Sequence, residues 1–142
     1  MKILVCGGRD YDDRERFLEV MNKYRELYTY PYDPCGKSAK CYMQIISGMA
    51  PGADTLAARY ARAFQLKLHE FPADWTDLSH PDAVVRRRRD GSLYDAKAGA
   101  RRNARMLAEG KPELVVAFRG GSGTRDMIRQ ARKAGVEVVE VA

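Results

Sequence analysis

Three glycine-rich turns are the parts of this sequence best suited to bind an anion. Each follows a short apolar run of the kind that forms a buried strand, at residues 3–6, 42–46 and 113–118. Glycines let the backbone approach a phosphate closely, and free N–H groups at a helix start favour negative charge. The ligand-binding candidates in these turns are Gly7, Gly8, Arg9, Ser47, Gly48, Gly52, Gly120, Gly121, Ser122, Gly123 and Thr124.

Each turn has a structural alternative when it is taken alone. A Gly-Gly pair after a strand is often only a tight turn, and residues 120–124 can form a flexible turn with a threonine cap. The sequence contains no G-x-x-x-x-G-K-[ST] motif, which excludes a P-loop triphosphatase, and no G-x-G-x-x-G after the first strand, which leaves NAD binding unsupported. The prediction of an anion site therefore depends on all three turns converging.

Asp10, Asp54 and Arg102 are the candidates for a catalytic role. Both aspartates follow strand ends, where a carboxylate can accept from ribose hydroxyls, although both also suit helix caps. In hydrolysis of an N-glycosidic bond, either carboxylate could stabilise an oxocarbenium-like transition state or activate water. The guanidinium of Arg102 can bind a phosphate bidentately, the alternative being a solvated arginine, and the adjacent Asn103 is a further ligand-binding candidate.

The net charge of +6 lies entirely in one window, from Arg86 to Arg105, which holds eight basic and two acidic residues. In the rest of the chain the basic and acidic residues are equal in number, which argues against a uniformly basic protein that coats nucleic acid. We expect Arg101 and Arg105, which share a helix face, to be solvated. The run from Arg86 to Arg89 fits a solvated face, a polyphosphate lid or a nucleic-acid contact. Trp75 could stack on a base, although core or rim packing is commoner.

The composition is that of a soluble globular protein. Its 142 residues, 45% hydrophobic and 31% charged, exclude general disorder and suit one domain spanning residues 1–142. No apolar run approaches the roughly 20 residues that cross a bilayer, so we expect no membrane partner. Three cysteines and no signal peptide favour a reducing cytoplasm. The spacing of Cys35 and Cys41 argues against zinc, and we expect no metal and no cofactor.

Strand patterns alternate with helical patterns along the chain. We predict strands at residues 3–6, 42–46, 67–71, 113–118 and 136–141, and helices at about 11–28, 51–66, 96–108 and 124–134. This alternation predicts an α/β fold, a single Rossmann-like domain with a parallel sheet of about five strands in the order 3-2-1-4-5 and helices on both faces. The stretches from Tyr30 to Lys40 and from Asp74 to Asp95 are predicted to be irregular.

The strings GGRDY, SGMAPGADTLAARYA, FPADW, GARRNARML and VVAFRGGSGT resemble the YspA-like branch of the SLOG superfamily over nearly the whole chain. The superfamily also contains the cytokinin-activating phosphoribohydrolases and the DNA-processing protein DprA. The resemblance implies a Rossmann-like fold that binds nucleotides or nucleotide-derived ligands at the glycine turns. It also implies a homodimer as the usual assembly, and a branch often carried by phages and mobile elements.

Four residues of the third turn match the phosphate-binding P-G-G-x-G-T of the superfamily: Gly120, Gly121, Gly123 and Thr124. Arg119 stands where the proline would be. Arg102 matches the arginine that the phosphoribohydrolases place at the substrate. Their catalytic glutamate falls on Met127, and the neighbouring Asp126 would project about 100° away on a helix. The resemblance thus implies a retained phosphate site without that glutamate.

Two functional hypotheses follow. In the first, the protein binds a nucleotide or nucleotide-derived phosphate ligand, as a sensor or as an N-glycosidic hydrolase of the phosphoribohydrolase kind. In the second, the window from Arg86 to Arg105 binds single-stranded nucleic acid, as the DprA resemblance suggests. The second is weaker because Tyr94 is the only aromatic residue in that window. The expected partner is therefore a small nucleotide-derived molecule.

Overall fold

The computed structural model describes residues 1–28 and 43–142. The strands are β1 (Lys2–Cys6), β2 (Gln44–Ser47), β3 (Leu68–Glu70), β4 (Val85–Arg87), β5 (Leu93–Asp95), β6 (Leu114–Ala117) and β7 (Glu137–Glu140), and the helices are α1 (Arg14–Tyr28), α2 (Ala53–Ala63), α3 (Ala98–Ala108) and α4 (Ser122–Lys133). The predicted irregular stretch from Tyr30 to Lys40 lies outside the described residues, as do Cys35 and Cys41.

Five of the strands form one parallel sheet with β1 at its centre. The order is β3-β2-β1-β6-β7, and every adjacent pair is parallel. The predicted α/β class and five-stranded parallel sheet are confirmed. The numbering 3-2-1-4-5 is corrected, because the sequence-based count omitted β4 and β5.

The two omitted strands pair as an antiparallel hairpin within the stretch that was predicted to be irregular. Val85 and Leu93 are 49% and 42% exposed, and the buried residue of the hairpin is the acidic Asp95. The hairpin therefore has no buried apolar face, and its sequence lacks the alternation of apolar and polar residues that predicts a strand. Its turn is set instead by Gly91, at φ +88°, and by Asp90, which accepts from the N–H of Ser92 at 2.9 Å. Local turn chemistry rather than an apolar pattern forms these strands.

Both faces of the sheet are covered by helices. On one face, Phe17 of α1 and Tyr60 of α2 pack against strand residues such as Ile3. On the other, Met106 of α3 and Met127 of α4 pack against the opposite side of the sheet. The apolar runs of β1 and β6 are explained by this arrangement, since their side chains are buried in both directions.

The orientation of α3 differs from the apolar stripe that the sequence indicates. The stripe predicts that Ala100, Ala104, Leu107 and Ala108 face inward. The three alanines are exposed, whereas Leu107 is half-buried and packs against the core. The buried residues are Ala98, Asn103 and Met106, the last two one turn apart. Burial of Asn103 is possible because its side chain has hydrogen-bond partners, and this rotation directs the neighbouring arginine towards the sheet edge. None of the helices in the described ranges is both long and apolar enough to cross a membrane.

Candidate functional site

A cavity of about 300 Å³ lies at the carboxyl edge of the sheet, where the turns after β1 and β6 meet the starts of α2 and α4. The sheet order reverses between β1 and β6, and open α/β sheets bind ligands at such a switch point. Eleven predicted site residues line it: Gly7, Gly8, Arg9, Asp10, Asp54, Arg102, Asn103, Gly121, Ser122, Gly123 and Thr124. The predicted convergence of turns is therefore present.

Ser47 and Gly48 support the cavity from behind rather than lining it. The Ser47 hydroxyl donates to the carbonyl of Asp54 at 2.9 Å and accepts from the N–H of Met49 at 3.1 Å. The carbonyl of Gly48 accepts from Arg102 Nη1 at 2.5 Å. Ser47 and Gly48 thus help to fix the positions of Asp54 and Arg102, whose side chains reach the cavity.

Gly52 and Gly120 are required where two turns cross closely. Gly52 has φ +82°, and a Cβ there would collide with the backbone of Gly8 and Arg9. A Cβ on Gly120 would lie 2.6 Å from the backbone nitrogen of Gly8. These two glycines allow the first turn to pack against the second and third, which brings the three turns together.

Gly121 and Gly123 have the opposite surroundings, since a Cβ on either would meet no atom within 4 Å. Gly121 is the N-cap of α4, and no side chain caps this helix. The uncapped N–H groups of the first turn of α4, together with the positive end of the helix dipole, therefore lie beside an open space. The alternative of a threonine cap does not apply, because Thr124 lies inside the helix and is 7% exposed.

Arg102 reaches the cavity from α3 and is held there by two hydrogen bonds. Besides its bond to Gly48, its Nε donates to Asn103 Oδ1 at 3.1 Å. Within the described residues its Nη2 has no hydrogen-bond partner, so this nitrogen can donate to a ligand. Burial lowers the pKa of Arg102, while Asp54 opposes that shift. The arrangement resembles an anion-binding arginine more than a solvated one.

Asp54, in the first turn of α2, is the buried carboxylate of the cavity at 6% exposure. Its Oδ2 accepts from the N–H of Ala50 at 3.2 Å, and Oδ1 accepts no hydrogen bond from the described part of the chain. Burial raises the pKa of Asp54 from 3.8 to about 6, although the charge of Arg102 lowers it. A carboxyl group titrating near neutral pH can act as a general acid or base.

Asp10 and Arg9 lie at the exposed rim of the cavity. The guanidinium carbon of Arg9 is 5.2 Å from the centre of the Trp75 ring, over its face. Trp75 is half-buried and its indole edge packs against Gly99 of α3, as rim packing predicts. Among the acidic candidates, Asp54 is therefore desolvated and Asp10 is not.

Met127, the position of the phosphoribohydrolase glutamate, lines the cavity. The neighbouring Asp126 is turned towards three other side chains, accepting from Asn103 at 3.0 Å, from Arg129 and from Gln130. These hydrogen bonds help to lower the pKa of Asp126, against the effect of its burial. Asp126 therefore cannot replace the missing glutamate without breaking all three contacts.

Four lining residues were not predicted as site residues: Cys6, Ala50, Met106 and Met127. Cys6 ends β1 directly before the first glycine turn, and this position could have identified it as a site residue from the sequence. Burial raises the pKa of its thiol to about 12, so it is not a thiolate at neutral pH. No group of three His, Cys, Asp or Glu residues suited to a metal ion occurs in residues 1–28 and 43–142.

Two arginines of the basic window, Arg101 and Arg105, are paired with carboxylates. Arg101 donates to Asp95 at 2.9 Å and to Asp82 at 2.7 Å, and its side chain is only 25% exposed. The expectation of a solvated Arg101 is therefore wrong, since a fully buried carboxylate holds it. Arg105 pairs with Glu109 at 3.2 Å on the exposed surface, as expected.

Comparison with known proteins identifies the family of this chain. A family model described as "YspA, cpYpsA-related SLOG family" matches residues 1–77, which include the first two glycine turns. The "Gene 61 protein" of Mycobacterium phage D29 is 28% identical over 145 residues, which cover 97% of this chain and 94% of that protein. This relative is a phage protein, which agrees with the expectation that the YspA-like branch is often carried by phages. Since the family model spans more than half of its residues, this chain belongs to the YspA, cpYpsA-related SLOG family.

Proposed function

We propose that the protein binds a nucleotide or nucleotide-derived phosphate ligand in the cavity between β1 and β6. The observation that carries this proposal is the position of the partly unpartnered Arg102 guanidinium in the same cavity as the uncapped start of α4. A phosphate there would accept from backbone N–H groups and from Arg102 Nη2. Charge-assisted hydrogen bonds of this kind are stronger than neutral ones.

Sugar and base would lie towards the side of the cavity that Asp54 lines. The free Oδ1 of Asp54 can accept from a ribose hydroxyl when it is ionised, or donate when it is protonated. Two roles remain compatible with this arrangement: sensing, in which the ligand is held, and hydrolysis of its N-glycosidic bond. In hydrolysis, water would attack the anomeric carbon and the base would leave with a proton.

Isothermal titration with the four ribonucleoside 5′-monophosphates tests the binding step. Gly121→Asp places a carboxylate in the open space beside α4 at an ordinary φ of −100°, so the fold should tolerate it while phosphate binding is lost. Gly121→Asn is a neutral control of equal size, and Ala108→Asp adds the same charge on the exposed end of α3. Binding that survives Gly121→Asp, or no binding by the wild type, would refute the proposal.

Release of free base from a bound monophosphate distinguishes hydrolysis from sensing. We expect Asp54→Asn to abolish any release, with smaller effects for the exposed Asp10→Asn. The nucleic-acid hypothesis has less support, because Arg101 and Arg105 are already neutralised by carboxylates.

A further inference from the structure

A second concave surface lies next to the cavity, and we call it the arginine–tryptophan hollow. Its volume is about 400 Å³, and it is lined by Arg9, Trp75, Arg87, Arg88, Arg89 and Tyr94. Arg9 lines both the hollow and the cavity, so the two spaces are neighbours across one side chain. The proposed phosphate site therefore continues into a basic and aromatic surface.

The arginines of the hollow are not paired directly with carboxylates. Within the described ranges, none of Arg9, Arg87, Arg88 and Arg89 forms an ion pair, although the charge of Arg88 contributes to lowering the pKa of the nearby Asp90. The guanidinium of Arg88 donates a long hydrogen bond from Nη1 to the hydroxyl of Ser92, at 3.5 Å. Four guanidinium groups around one space repel one another, and a bound anion would relieve that repulsion.

The two aromatic rings give the hollow a place for a planar group. Trp75 and Tyr94 meet edge to face, with ring centres 6.3 Å apart. A guanidinium already lies over each ring, Arg9 over Trp75 at 5.2 Å and Arg88 over Tyr94 at 4.7 Å. Bases bind to such arginine and aromatic surfaces by stacking and cation–π contact.

The hollow is held in shape by hydrogen bonds to its surroundings. The N–H of Asp95 donates to the carbonyl of Trp75 at 2.8 Å, and that of Ala96 donates to Val84 at 2.8 Å. Asp95 also accepts from the N–H of Val84 at 3.0 Å and from the N–H of Lys97, the N-cap of α3, at 2.9 Å. Its carboxylate therefore joins the β4–β5 hairpin to the start of α3. A preformed surface of this kind loses little entropy when a ligand binds.

We propose that the hollow is a second subsite of the cavity's ligand and holds the second nucleotide of a pyrophosphate-linked dinucleotide. One phosphate of the pyrophosphate lies at the start of α4, the other lies beside Arg9, and the second base stacks in the hollow. This inference rests on the proposed function. A long single strand of nucleic acid fits less well, because the basic surface ends where Asp82, Asp95 and Glu109 neutralise Arg101 and Arg105.

The test compares each of the four ribonucleoside monophosphates with its symmetric pyrophosphate-linked dinucleotide by isothermal titration. We expect the preferred dinucleotide to bind about tenfold or more tightly than its monophosphate. Arg88→Ala/Arg89→Ala should abolish this advantage and leave monophosphate affinity unchanged. Arg14→Ala/Arg59→Ala, which removes two arginines from a separate groove between α1 and α2, should keep it. Trp75 is the chain's single tryptophan, so its fluorescence should be quenched by the dinucleotide.

The outcomes separate this inference from the function on which it rests. If monophosphates bind and dinucleotides bind no more tightly, or the advantage survives Arg88→Ala/Arg89→Ala, the second subsite is refuted and the proposed function stands. If neither class of nucleotide binds, both fail. If an octamer of deoxythymidylate binds more tightly than every dinucleotide and loses that affinity in the same variant, the hollow is a nucleic-acid contact and the dinucleotide proposal is overturned.

Discussion

Asp54 and Arg102 line the same cavity with opposite charges but do not form an ion pair. Arg102 donates instead to the carbonyl of Gly48 and to Asn103, and Asp54 accepts from the N–H of Ala50. Burial disfavours the charged form of each group and raises the pKa of Asp54 while lowering that of Arg102. A ligand between them can therefore engage a desolvated carboxyl group and a desolvated guanidinium separately.

The raised pKa of Asp54 predicts that its ionisation destabilises the protein. The unfolded chain ionises near 3.8 and the folded protein near 6, so the folded state binds more protons between these values. Stability therefore decreases as pH rises through this window, by about 3 kcal/mol for a shift of about two pKa units. Asp54→Asn should remove this loss, so that the variant gains stability relative to the wild type from pH 4 to pH 7.

Urea unfolding at pH 4, 5, 6 and 7 measures the effect as the difference between variant and wild type. Other titrating groups are common to both proteins and cancel in this difference. Asp10→Asn removes an exposed carboxylate from the same cavity and controls for the change in charge. A difference between Asp54→Asn and wild type that stays constant with pH would contradict the assignment.

Arg102→Lys is expected to weaken phosphate binding although it keeps the positive charge. A lysine ammonium cannot hold the Gly48 carbonyl and Asn103 while also presenting a planar donor to the ligand. We expect a loss of about tenfold in affinity for the bound nucleotide, and a larger loss in Arg102→Ala. Arg105→Lys, on the exposed side of the same helix, should leave affinity unchanged. Calorimetry would contradict this role if the two lysine variants behaved alike.

Adjacent glycines in the third turn should respond in opposite ways to alanine. At Gly120 the new methyl group would lie 2.6 Å from the backbone nitrogen of Gly8, whereas at Gly121 it would meet nothing within 4 Å. Gly120→Ala should therefore lower the free energy of unfolding by about 1–3 kcal/mol, as overpacking does. Gly121→Ala should change stability by about 0.5 kcal/mol at most. Equal thermal midpoints for the two variants would show that the turns do not cross as closely as described.

The parts predicted from the sequence are those that depend on local patterns. Apolar runs such as that before Gly7, each followed by glycine, indicated both the parallel sheet and the edge at which its turns meet. The burial of Asp95 could not be predicted, because it depends on how the β4–β5 hairpin folds against α3, which brings both Val84 and Arg101 to its carboxylate. In the sequence, Asp95 is one of two acidic residues in a basic window, and nothing distinguishes it from Asp90. The β4–β5 hairpin was missed because its sequence does not alternate between apolar and polar residues.

Cys6 is expected to resist thiol reagents while the protein is folded. Burial, with a smaller contribution from the negative charge of Asp54, raises the pKa of its thiol to about 12, and only the thiolate reacts. Labelling with iodoacetamide at pH 8, followed by peptide mass spectrometry, should modify Cys6 only after unfolding in urea. Modification in the native protein at the rate of the urea-unfolded chain would contradict this environment.

Asp95→Asn should loosen the β4–β5 hairpin from α3 and lower the thermal midpoint at neutral pH by several degrees. The carboxylate accepts from the N–H of Lys97 and from Arg101, and these contacts hold its pKa below the usual 3.8 despite burial. A carboxyl group whose pKa is lower in the folded than in the unfolded state stabilises the protein at pH values above its unfolded-state pKa. This stability is lost as the pH falls through its folded-state pKa. The difference between variant and wild type should therefore shrink below about pH 4. Asp82→Asn, which removes the exposed partner of the same arginine, should have a much smaller effect. Equal destabilisation by the two variants would mean that the buried carboxylate does not join the hairpin to the helix.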